Sequence, residues 1–154
     1  MSLTIIVAAA VTAVVLFLGA VTTDIGPWYV ALRKPSWNPP NWVFGPAWTL
    51  ILGLAAWAGV LAWNHARDES DYWRIGVLFA VNLSLHMAWS PLFFNLRRPD
   101  WALREVPFLW LSVLALILGL APIDQRVVWL LLPYLFWVGF AAYLNFVIVR
   151  LNRS

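Results

Sequence analysis

VVWLLLPYLFWVGFAAYLNFVIV, residues 127–149, contains no Asp, Glu, Lys or Arg, and its length decides the fold class. A helix rises about 1.5 Å per residue, so roughly 20 residues cross a hydrocarbon layer of about 30 Å. The same pattern repeats outward along the chain, with uncharged windows at residues 1–23, 35–66, 75–96 and 106–123. Backbone polar groups must be paired inside a bilayer, which leaves helices or a closed barrel. Barrel strands alternate in polarity over about ten residues, whereas Leu109 to Leu120 reads LWLSVLALILGL, apolar on every side. The expectation is an all-α membrane protein, a single domain over residues 1–154. Its five transmembrane helices are expected near 2–23, 43–65, 74–96, 103–122 and 127–149, with a long first loop at 24–42.

Composition agrees: 63% of the residues are hydrophobic, 11% are charged, and the mean hydropathy is +0.79. That is too little charge to cover a soluble domain. A net charge of +3, dispersed along the chain, argues against nucleic acid as a partner and carries topology instead. Arg33, Lys34, Arg97, Arg98, Arg104, Arg150 and Arg153 fall on one side of a five-span chain; Arg67, Arg74 and Arg126 fall on the other. The positive-inside rule then puts the C-terminus and the first and third loops in the cytoplasm and the N-terminus outside. The first window has no basic leader and is longer than a signal-peptide core, so it reads as a span in a bacterial cytoplasmic membrane. Without cysteine, neither thiol chemistry nor thiolate metal ligation is available. No nucleophile–base pair or phosphate loop appears, so no catalytic residue and no metal site is assigned. Asp24 and Glu105 read as solvated carboxylates at span ends.

The long loop and the start of the second span read WYVALRKPSWNPPNWVFGPAW, residues 28–48. Pro35, Pro39, Pro40 and Pro46 restrict the backbone, so a stiff, non-helical loop is expected. Its aromatic residues suit either an interfacial belt or a rigid apolar lid. Gly76, Ala80, Ser84 and Ala88 form an i+4 ladder of small residues along the third span. Small residues permit close helix approach, which fits a homodimer seam or a neighbour in the same bundle. His86 lies mid-span, where an imidazole can bond across helices or ligate a haem iron. Pro91 and Pro133 should kink their helices by removing bonds to Met87 and Trp129. Asn145 is polar enough to face inward.

Three ordered blocks of these residues resemble the translocator protein family, also called tryptophan-rich sensory proteins (TspO/MBR). The first is Trp28, Tyr29, Leu32, Lys34, Pro35, Trp37, Pro39, Pro40, Phe44, Pro46 and Trp48. The second is Trp89, Pro91, Phe93 and Phe94; the third is Pro133, Tyr134, Trp137, Ala141, Leu144 and Asn145. The resemblance implies a five-helix bundle, usually a homodimer, whose pocket opens beneath the first loop. It also implies tetrapyrrole ligands such as protoporphyrin IX or haem, with no cofactor required. Transport, sequestration or sensing of tetrapyrroles is the leading function. The alternatives are light-dependent porphyrin breakdown by pocket tryptophans and regulation through partner proteins.

Carried onto this chain, the resemblance assigns Trp37, Trp48, Phe93, Tyr134, Trp137 and Ala141 to the pocket wall. Arg33 and Lys34 are candidates for the two propionates on charge and location. The family usually has Asn where this chain has His86, which makes His86 the candidate polar or haem contact. Leu144, Phe146 and Arg150 lack the tyrosine of the animal cholesterol motif, so cholesterol is not the expected ligand.

Overall fold

The computed structural model describes residues 2–153. Its helices are α1 (Leu3–Thr22), α2 (Pro27–Ala31), α3 (Asn41–Asn64), α4 (Glu69–Ser90), α5 (Pro99–Leu120) and α6 (Arg126–Leu151). A π-helical turn, Pro91–Asn95, extends α4. Five helices are long and apolar enough to cross a membrane: α1, α3, α4 with its π turn, α5 and α6. The fold is therefore the all-α, five-span bundle expected.

α4, α5 and α6 overrun their uncharged windows, and polar signals mark where they start. Asp68 caps α4, its side chain accepting from the Asp71 amide at 3.0 Å, with Glu69 and Asp71 in the first turn. Carboxylates there complement the helix dipole, so α4 starts at Glu69 rather than 74. Pro99 occupies the first turn of α5, where a missing amide costs nothing. The first loop departs from expectation in the same way. Pro27 follows Gly26 and starts the short helix α2, so the expected non-helical loop is split into residues 24–26 and 32–40. Pro46 lies inside α3, near its start.

The core lies where α3, α5 and α6 meet. Leu109, Val113, Leu116 and Leu120 recur along one face of α5, against Val127, Leu131, Tyr134 and Val138 of α6 and Ile51, Ala55, Ala58 and Ala62 of α3. Lipid is as apolar as leucine, so close fit rather than exclusion of water holds such helices together. At Gly119 an added Cβ would stand 2.5 Å from Leu78 Cδ1, which shows how closely α4 and α5 approach. By contrast Gly76, Ala80 and Ser84 are exposed and Ala88 half-buried. The ladder faces away from the bundle, so it is not the place where a helix of the same chain packs. α1 is peripheral, packed on α3 and α4, with Val15 its one buried residue.

Hydrogen bonds tie the two ends of the bundle. At one end the Asn152 side chain accepts from the Arg33 amide at 3.0 Å and donates to the Arg33 carbonyl at 2.8 Å, fastening the first loop to α6. At the other, Asp124 accepts from the Arg126 guanidinium at 2.7 Å and stands 3.4 Å from His65 Nδ1, bringing the second and fourth loops together.

The hydrogen bonds from Arg126 hold the Asp124 carboxyl at about 2, below its ordinary range. A depressed folded-state value stabilises the fold above the unfolded value of about 3.9 and ceases to do so as pH falls through about 2. Asp124→Asn should therefore lower the thermal midpoint at pH 6, and the gap to wild type should close on titration toward pH 2. A gap that stays constant with pH would show that the ion pair contributes nothing to stability.

Candidate functional site: a cavity beneath the first loop

The site is organised by the break at the end of α4. Pro91 has no amide to donate to Met87, and the chain widens into a π turn in which the Leu96 amide reaches the Pro91 carbonyl at 2.9 Å. Arg97, in the left-handed region at φ 54°, ends the turn. The expected kink is thus a change of helical register. It turns Phe93 and Phe94 inward, where both are buried. Trp89 stacks on Phe93, with centroids 5.1 Å apart and planes 24° from parallel. Tyr29 of α2 packs on Phe94 at 5.4 Å and seats the first loop on the π turn.

Beneath this roof lies a cavity of about 790 Å³. Its walls are the Val15–Thr23 end of α1, Phe44, Trp48 and Leu52 of α3, and His86, Trp89, Ser90 and Phe93 of α4 with its π turn. Val106 and Leu109 of α5 and Trp137, Ala141, Leu144 and Asn145 of α6 complete them. Trp48 is the pivot. Its ring meets His86 at 4.8 Å, Tyr134 at 6.3 Å and Trp137 at 6.2 Å, each nearly perpendicular. Edge-to-face pairs of this kind fix ring orientation as well as adding contact energy.

Trp48, Phe93, Trp137, Ala141 and His86 therefore line one space. Tyr134 does not: it is fully buried behind the wall, its hydroxyl 3.1 Å from His86 Nδ1 and 3.3 Å from Asn82 Oδ1. Trp37 is 44% exposed and lies against α6 outside the cavity, stacked on Tyr143 at 5.6 Å and 8°. The Lys34 ammonium donates to the carbonyls of Tyr29 at 2.7 Å and Leu32 at 3.0 Å and lies over the Tyr29 ring. It closes the C-terminal end of α2, where unpaired carbonyls attract a cation. Neither Arg33 nor Lys34 lines the cavity.

Phe44 joins the wall because it sits one turn before Trp48 on the same helix face, a spacing present in the sequence. The contribution of α1 had no such signal, since that helix is apolar all round. Two polar groups set the depth of the site. Asn145 is buried, donating to the Pro99 carbonyl at 2.9 Å and accepting from Trp89 Nε1 at 3.3 Å, so it locks α4, α5 and α6. Glu105 corrects the reading of a solvated span end: both carboxyl oxygens are shielded and have no partner among the described residues.

The fold and the site define an integral membrane protein, a five-span bundle with an aromatic cavity under a proline-bounded loop. Comparison with known proteins narrows the class. The sequence matches the TspO/MBR family over residues 5–151, and the chain belongs to that family. It is 41% identical over 128 residues to the tryptophan-rich protein TspO of Chlorobaculum tepidum, covering 81% of this chain and 79% of that one. It is 38% identical to the tryptophan-rich sensory protein of Cereibacter sphaeroides over 81% of this chain and 77% of that one. It is 33% identical to the translocator protein of Sus scrofa over 82% of this chain and 76% of that one.

Asn145→Ala should lower thermal stability by about 1–2 kcal/mol, the upper range for a polar link between membrane helices. Loss of the Trp89 bond should also shift tryptophan emission. An unchanged melting curve in detergent would show that apolar packing alone holds the three helices.

Proposed function

We propose that the cavity holds a flat tetrapyrrole, protoporphyrin IX or haem, and that the chain carries, sequesters or senses it. The observation that carries this reading is the lining: a cavity of about 790 Å³ walled by aromatic rings, with few polar groups. A porphyrin is a flat aromatic plate that stacks on indole and phenyl faces and gains from leaving water. Membership of the TspO/MBR family supports the same ligand class. Arg33 and Lys34 would meet its propionates only through a rearrangement that frees Lys34 from the carbonyls it caps. The cavity lies toward the bundle end that carries Arg33, Lys34, Arg97, Arg98, Arg150 and Arg153, which the positive-inside rule assigns to the cytoplasm. The bilayer is then a bacterial cytoplasmic membrane.

The outward face of α4, with Gly76, Ala80 and Ser84 uncovered, suits a second copy of the chain, since small residues let two backbones approach. A second reading, light-dependent porphyrin breakdown, is favoured by Trp48 and Trp137 meeting at the wall as candidate electron donors.

Titration of the detergent-purified protein with protoporphyrin IX, followed by tryptophan quenching, tests the main reading. Trp137→Ala should weaken binding by roughly 2–10-fold, the value of one aromatic stacking partner, while Trp37→Ala should leave it nearly unchanged. Equal effects of the two would remove the cavity from the binding site; absence of binding by wild type would favour work through a partner protein. Illumination that consumes the pigment only when Trp48 and Trp137 are intact would establish the enzymatic reading. Ala80→Leu with Ser84→Leu should convert a dimer to a monomer in detergent without lowering the thermal midpoint of the monomer. A dimer that persists would place the seam elsewhere.

A further inference from the structure

The interior holds a chain of hydrogen bonds that the proposed binding of a tetrapyrrole does not by itself require. The Asn82 amide nitrogen donates to Ser112 Oγ at 3.0 Å, and Ser112 Oγ donates to the Leu109 carbonyl at 2.6 Å. The Tyr134 hydroxyl donates to Asn82 Oδ1 at 3.3 Å. Asn82 is 1% exposed, so water cannot replace that donor. A phenol has one proton to give. With that proton committed to Asn82, the 3.1 Å contact between Tyr134 and His86 Nδ1 must be made by the imidazole proton, Nδ1–H donating to the phenol oxygen. Reversing it would strand Asn82 Oδ1, buried and without a donor.

The direction of the chain decides the chemistry of His86. A neutral imidazole protonated at Nδ1 carries its lone pair on Nε2. That nitrogen makes no hydrogen bond among the described residues, although His86 lines the cavity. A histidine serving only to link helices would be expected to use both nitrogens, or to leave the spare one against solvent. Here the spare nitrogen belongs to a ring that borders an apolar space. Metal-ligating histidines have the same arrangement: one ring nitrogen donates to a fixed acceptor, which sets the tautomer and ring orientation, and the other binds the metal.

We propose that His86 would ligate, through Nε2, the metal of a metallated tetrapyrrole, with Tyr134 and Asn82 as its positioning residues. This rests on the tetrapyrrole reading of the cavity and deepens it, since it selects an iron-bearing ring over the free porphyrin. Imidazole is a suitable ligand for haem iron, and the donor set the chain offers fits that group. When bound, the iron would supply a centre that accepts a nitrogen lone pair. The chain's own contribution is to hold one ring nitrogen unprotonated and to keep the surrounding wall apolar.

The test uses the full chain in detergent with two probes, haemin and protoporphyrin IX. Wild type should give a haemin Soret band characteristic of histidine ligation and should bind protoporphyrin IX without any such signature. His86→Ala should lose the ligation band, weaken haemin binding by roughly tenfold more than it weakens protoporphyrin IX binding, and regain the band on addition of free imidazole. Should His86→Ala fail to fold, His86→Gln retains a donor toward Tyr134 and serves in its place. Tyr134→Phe keeps the ring and removes both the acceptor of the Nδ1 proton and the donor to Asn82 Oδ1; it should weaken haemin binding by roughly 10–100-fold, with a much smaller effect on protoporphyrin IX binding. Haemin spectra and affinities identical in wild type and the His86 variant, both still binding protoporphyrin IX, would overturn the ligand assignment and leave the tetrapyrrole cavity standing. Failure of wild type to bind either probe would overturn both.

Discussion

A bilayer offers no water to backbone groups, so each amide and carbonyl of a spanning helix must be paired by the chain itself. Pro91 lacks an amide at the end of α4, and the site is built around the turn that accommodates it. The π turn that accommodates the missing amide rotates Phe93 and Phe94 into the bundle. Tyr29 packs on them, α2 is seated by Tyr29, and Lys34 closes α2 from its C-terminal end. The roof of the cavity thus follows from one absent hydrogen bond. π turns concentrate at functional sites because they redirect side chains without ending the helix.

Below the roof, polar side chains do what apolar packing in lipid does weakly, which is to select one arrangement of helices. Asn145 joins α6 to the start of α5 and to Trp89 of α4. Asn82 and Ser112 join α4 to α5, and Tyr134 joins α6 to α4. Each pair is worth little by itself, since the unfolded chain in a membrane also finds partners. Their directionality matters more than their strength. A leucine face fits several rotations of its neighbour; an amide that must meet a particular carbonyl fits one.

Most of the architecture was legible in the sequence because it depends on length and charge alone. Five uncharged windows specify five spans, and Asn145 announced itself as a polar residue in the middle of one. Helix ends were less accessible: Asp68 capping α4 and Pro27 opening α2 act through local bonds that window counting does not see. In the site, Trp48, Phe93, Trp137 and Ala141 were named and line the cavity, because they lie on regular helix faces or on the turn fixed by Pro91. Trp37 and Lys34 lie outside the cavity for a common reason. Both lie in the irregular stretch before Pro40, where direction is set by single contacts, Trp37 with Tyr143 and Lys34 with two carbonyls. Residue type indicated what these side chains suit; only the fold shows what they touch. Glu105 was misplaced because α5 begins at Pro99, well before the last charge, which carries the carboxyl a turn and more inside the helix.

The wall of the cavity is uneven, and that unevenness follows from the packing. α3, α5 and α6 are interlocked by the core, and the rings of Trp48, Trp137 and Phe44 stand on the first and last of these. α1 contributes a full side of the cavity yet buries Val15 alone; near its end the Thr23 hydroxyl meets Ser90 Oγ at 2.9 Å. An element with few buried contacts opens at the lowest free-energy cost. An opening on the side of α1 would therefore leave the three interlocked helices and their aromatic rings undisturbed. The rigid aromatic wall and the element that opens most readily thus lie on opposite sides of the same space.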